Sequence, residues 1–98
     1  MHKQINILRC ERGRAKLGNM SKTTWYGQID GGLMTVGVPV GLRSVGWPEH
    51  ELDAILAARL AGWSDEQIRT LVKALMDERR VGADALAIYM PAASTVPI

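Results

Sequence analysis

Twelve residues near the middle of the chain, Val36 to Trp47, restrict its fold more than any other stretch. Val36, Val38, Val40 and Leu42 alternate with Gly37, Pro39 and Gly41, the two-residue period of a strand with one face toward a core. Gly41-Leu42 is a Gly-X pair of the kind used by a type II′ hairpin turn, with the chain returning through Arg43-Ser44-Val45-Gly46-Trp47. Pro39 has no amide hydrogen, which confines the first strand to a sheet edge. A two-stranded ribbon is marginal in water, so this hairpin must lean on helices around it.

The flanking segments supply them. Leu8 to Leu17 reads as a short helical stretch, although Gly13 weakens it by about 1 kcal/mol relative to alanine. Gly18-Asn19 breaks the pattern, because both residues tolerate positive φ. Ser21 is the expected N-cap of a second helix running to about Asp30 and stopped by Gly31-Gly32. Trp25 and Ile29, four apart, face a core, with Met20 packing at the entry. Thr23, Tyr26 and Gly27 lie opposite, and Lys22 sits in the exposed first turn. Pro48 opens a third helix carrying Leu52, Ile55, Leu56 and Leu60 at core spacing, with Glu49, Glu51 and Asp53 in its first turns and Gly62 at its end. Ser64 with Gln67 reads as a capping box for a fourth helix to about Arg80, terminated by Gly82. Its stripe of Ile68, Leu71, Val72, Leu75 and Met76 is expected to be core or a pairing seam. One more helical piece is expected from Ala83 to Tyr89.

Charge is unevenly spread over the 98 residues. Residues 1–47 hold seven cations against two carboxylates, net +5, and residues 48–98 hold five against eight, net −3. A positive half favours a polyanionic partner; Arg12, Arg14 and Lys16 are expected to add long-range attraction without defined contacts. No apolar run reaches the length of a membrane span, and the first residues are too short and polar a stretch for a signal peptide. The lone Cys10 cannot form an internal disulfide, so the cytoplasm is the default compartment. His2 and His50 have no ligand at metal spacing, no arrangement suggests a catalytic triad, and the glycine-rich stretches lack the spacing of a phosphate cradle. An enzyme, a metal site and a cofactor are therefore not expected.

Two short helices joined by a tight turn, then a β-hairpin, then another helix is the order of a winged helix-turn-helix. In that arrangement the first helix braces the second, whose N-terminal residues reach base edges in the major groove. The hairpin can set Arg43 on phosphate or in a minor groove. The expected fold is mainly α with a small β-hairpin: a winged helix-turn-helix domain over 5–62, a C-terminal helical extension over 63–90 for packing or dimerisation, and a flexible tail over 91–98. Trp25 and Trp47 are read as core residues rather than base-stacking platforms.

The run Leu17-Gly18-Asn19-Met20-Ser21-Lys22-Thr23-Thr24-Trp25-Tyr26 resembles the helix-turn-helix of AlpA-type prophage regulatory proteins, a MerR-like and excisionase-like group. The stretch from Pro39 to Trp47, followed by Glu49, Glu51-Leu52-Asp53-Ala54 and Ala57-Ala58-Arg59, resembles the wing and following helix of that family more closely still. The resemblance covers about residues 8–60. It implies sequence-specific binding of double-stranded DNA, in transcriptional regulation or in prophage excision. It also implies DNA-facing roles for Lys22, Thr23 and Tyr26 on the recognition helix and for Arg43 on the wing. With their neighbours Ser21, Thr24 and Ser44, these form the expected DNA-binding set. Residues 64–80 are the expected seam if two copies assemble on DNA. Gly27 stands where the family usually has a long basic residue, and Gly31 replaces another typically polar position. Loss of such a charged fork removes about 1–3 kcal/mol if it reads a base. That departure leaves room for an alternative, a protein-interaction adaptor acting through the helix at 64–80.

Overall fold

A computed structural model describes residues 6–86. The chain runs β1 (Ile7–Arg9), α1 (Cys10–Lys16), α2 (Lys22–Asp30), β2 (Val38–Pro39), β3 (Val45–Pro48), α3 (Glu49–Leu60) and α4 (Asp65–Ala85). It is mainly helical, with one small antiparallel sheet in the order β1-β3-β2. The expected helix from Leu8 is therefore shorter than its sequence suggests. Leu8 pairs with Trp47 across β3, and this long-range pairing replaces the first helical turn. Helix α1 begins only at Cys10. Gly13, its weak point by propensity, is buried against α2: a Cβ there would lie 2.8 Å from Cη2 of Trp25. The absence of a side chain sets how closely α1 and α2 approach.

The hairpin also differs from expectation. Strand β2 keeps only two residues, with Pro39 opposite Val45 on the sheet edge that its missing amide requires. Gly41 does not adopt the positive φ that a II′ turn demands at that position. Instead the amide of Val40 donates to the carbonyl of Ser44 at 2.9 Å, which closes a loop with Gly41, Leu42 and Arg43 at its tip.

The turn between α1 and α2 uses positive φ at both Gly18 (91°) and Asn19 (59°). The hydroxyl of Ser21 then caps α2, accepting from the Thr24 amide at 3.1 Å. Ser64 and Gln67 form the expected capping box of α4. Gly82 does not end α4, which continues to Ala85; exposed on a helix surface, glycine costs only about 1 kcal/mol and is carried by the rest of the helix. The helical piece expected over Ala83 to Tyr89 is in its first residues a continuation of α4. The rest of it, and the tail at 91–98, lie outside the described residues.

A single core joins Trp25, Leu33, Met34, Trp47, Leu52, Ile55 and Ala58 to Ile68, Val72 and Leu75 of α4. The rings of Trp25 and Trp47 meet edge to face with centroids 5.0 Å apart, and Nε1 of Trp47 donates to the Thr35 carbonyl at 2.9 Å. Leu60, expected in the core, is 80% exposed because α3 ends there and Gly62 turns the chain away. Glu51 takes a buried place on α3 instead. It receives two hydrogen bonds from Arg79 of α4, Nε to Oε2 at 2.7 Å and Nη2 to Oε1 at 2.6 Å. Arg79 also donates to the Val36 carbonyl at 2.9 Å, and Arg69 to the Gly31 carbonyl at 2.9 Å. Helix α4 is thereby tied to the loop after α2 and to α3. No helix among the described residues is long and apolar enough to cross a membrane.

Candidate nucleic-acid interface

Helix α2 is amphipathic by placement. Trp25 is fully buried and Ile29 half-buried, while Thr23, Tyr26 and Gly27 are exposed away from them and Lys22 is exposed in the first turn. Gln28, between the two sides, accepts a hydrogen bond from Arg59 at 2.6 Å and so braces α2 against α3. Every other helix carries a carboxylate in its first turn; α2 has none there and has Lys22 instead. Its amino end keeps the positive sense of the helix dipole, with the Thr24 amide taken by the Ser21 cap.

A shallow cleft of about 380 Å³ runs between α2 and the β2–β3 loop. Arg9, Lys22 and Arg43 line it together with Tyr26, Val45 and Glu11. Among the described residues none of these three cations forms an ion pair. The ring of Tyr26 leans edge-on toward Trp47 at 6.5 Å. Its hydroxyl is held above the ordinary phenol range, first by partial burial and then by the neighbouring Cys10 thiol. Tyr26 therefore stays a neutral hydrogen-bond donor well above neutral pH.

The expected DNA-binding set is thus divided. Lys22, Tyr26 and Arg43 converge on the cleft. Thr23 is exposed on the same side of α2 but does not line it. Ser21 and Thr24 are engaged with each other at the cap, the Ser21 hydroxyl also donating to Oγ1 of Thr24 at 2.9 Å. The backbone of Ser44 closes the loop that carries Arg43. The sequence pattern does not single out Arg9, because locally it reads as part of a helix. The signal that points to it is strand alternation: Leu8 turns in against Trp47, so its neighbour Arg9 turns out.

Two cations of the basic half are occupied elsewhere, contrary to expectation. Arg14 donates to the Met20 carbonyl at 3.3 Å across the α1–α2 turn. Lys16 lies 3.0 Å from Glu49 and 2.8 Å from Asp53 at the start of α3. The bonds to Asp53 and Glu49 raise the Lys16 pKa, and those from Lys16 and Asn6 lower that of Glu49. The Lys16 charge is neutralised locally and adds little to any long-range field, whereas Arg14, bonded to a neutral carbonyl, is held in place but keeps its charge.

No known family, curated protein or solved structure matches this chain. Among the described residues no group of three or more His, Cys, Asp and Glu side chains could hold a metal ion.

Proposed function

We propose that this chain is a sequence-specific duplex-DNA-binding protein of winged helix-turn-helix type. The reading is carried by one observation: three cations, none in an ion pair and together outnumbering the single carboxylate Glu11, converge from β1, α2 and the β2–β3 loop onto one cleft. A sugar–phosphate backbone is the ridge that separates the major groove from the minor groove, and a cationic trough between a helix and a loop is complementary to it. With that ridge in the cleft, the exposed side of α2 enters the major groove, whose width of about 12 Å admits a helix. The loop then reaches over the backbone toward the adjacent minor groove. Arg9, Lys22 and Arg43 neutralise phosphates, which supplies affinity. Thr23 and Tyr26, exposed on α2, are the side chains left to meet base edges. The resemblance of residues 8–60 to AlpA-type regulators adds the biological setting, transcriptional control or excision in a prophage. The adaptor reading gains no support from α4, because the apolar residues it would use are turned onto the chain's own core.

Gel-shift titration against random-sequence duplex at two salt concentrations tests the proposal. Binding that weakens steeply with salt is expected. Arg43→Ala and Lys22→Ala should each weaken it and lower the salt slope by about one for a phosphate contact. Failure to retain duplex at low ionic strength would reject the reading.

A further inference from the structure

Leu42 is completely exposed at the tip of the β2–β3 loop. A lone exposed leucine is ordinary on a protein surface, but the placement of this one is not. The loop is short and closed by the hydrogen bond between Val40 and Ser44, so its tip is held out from the sheet. Val40 and Val45, half-exposed, stand at its base, and Arg43, next in the chain, lines the cationic cleft. A tip that only touched phosphate would be served by polar residues. An apolar side chain beside an arginine, fully exposed at the tip of a closed loop, has the chemistry of a wedge. The cation engages the backbone or the groove floor while the apolar group enters between two base pairs, where water is excluded.

We propose that Leu42 inserts into the minor groove at a base step and kinks the duplex, making the protein a DNA-bending factor as well as a DNA-binding one. This rests on the proposed docking of α2 and the cleft on one strand of backbone. Insertion into the step buries the leucine, and the unstacking it causes offsets most of that gain. Removing the side chain is therefore expected to cost the bend far more than the affinity. The step favoured is a pyrimidine–purine step, which unstacks most easily.

The test uses the full chain and a short duplex with a central TA step, a fluorophore at each end and 2-aminopurine at the step. The wild-type protein should bend this duplex by about 20–90°, read as increased energy transfer between the ends, and should raise the 2-aminopurine emission. Leu42→Ala should bind within about tenfold of wild type while leaving the duplex straight and the step stacked. Leu42→Met should keep both signals, because the wedge needs only an apolar side chain of similar reach. Since Leu42 touches no core residue, neither variant should alter folding, which a denaturation curve verifies. A wild-type protein that binds without bending, or a Leu42→Ala protein that bends as well as wild type, overturns the wedge and leaves the DNA-binding reading intact. A wild-type protein that binds no duplex removes both.

Discussion

Two groups of cations in this molecule are built from the same residue types and do opposite work. Around α3 and α4, Lys16, Arg59 and Arg79 are tied to carboxylates, and Arg79 reaches the nearly inaccessible Glu51. Around the cleft, Arg9, Lys22 and Arg43 have no such partner and face solvent. The difference lies not in the cations but in where the chain brings its carboxylates. Those in the first turns of α3 and α4 fall beside Lys16, Arg59 and Arg79, whereas the first turn of α2 has none to offer. A cation that is satisfied internally holds the fold. One left unsatisfied and exposed remains available to an external anion.

The contrast breaks most visibly at Arg79. Arg79→Ala leaves the Glu51 carboxylate buried without a partner and the Val36 carbonyl without a donor. Chemical denaturation should show a loss of about 3 kcal/mol, the low end for a broken buried pair because Arg79 itself stays partly solvated. Duplex affinity of the protein that remains folded should not change. At the cleft the pattern should invert. Arg9→Ala, Lys22→Ala and Arg43→Ala should leave stability within about 0.5 kcal/mol, while each weakens duplex binding by about 1 kcal/mol, roughly fivefold. Arg9→Ala is the sharpest of the three; unchanged salt dependence there would confine the interface to α2 and the loop. Ser21→Ala joins the two regions, since the cap holds the first turn that presents Lys22. About 1 kcal/mol of stability should be lost, with a smaller fall in affinity. The smallest effect is at Glu49. Its pKa is lowered in the fold, chiefly by the bond from Lys16, so its contribution to stability is present above the unfolded carboxylate value and is lost as pH falls through the folded one, below the ordinary carboxylate range. Glu49→Gln should flatten that acid limb slightly in denaturant titrations and leave binding at neutral pH intact.

Much of the candidate site was legible before any tertiary contact was known. Lys22 and Tyr26 follow from Ser21 as a cap, because once the helix start is known its 3.6-residue period assigns Trp25 to the core and its neighbours to solvent. Arg43 follows from the turn signal between two β-like runs. Arg9 was hidden because three residues carry too little pattern to separate a strand from the first turn of a helix. Conversely, Lys16 and Arg14 look like free cations when only neighbours in sequence are considered.

What the sequence determined by itself are the features whose partners lie three or four residues away: both serine caps, the Gly18-Asn19 turn, the buried faces of α2 and α4, and the edge position of a strand containing proline. Their energetics are local, so composition and spacing suffice. The tertiary structure decided the rest. Leu8 joined a strand because Trp47 was there to pair with. Lys16 met Glu49 across 33 residues and Arg79 met Glu51 across 28, and the cleft formed from three separate elements. Electrostatic pairing depends on distance in space, and only the folded chain sets which charges are brought close enough to cancel.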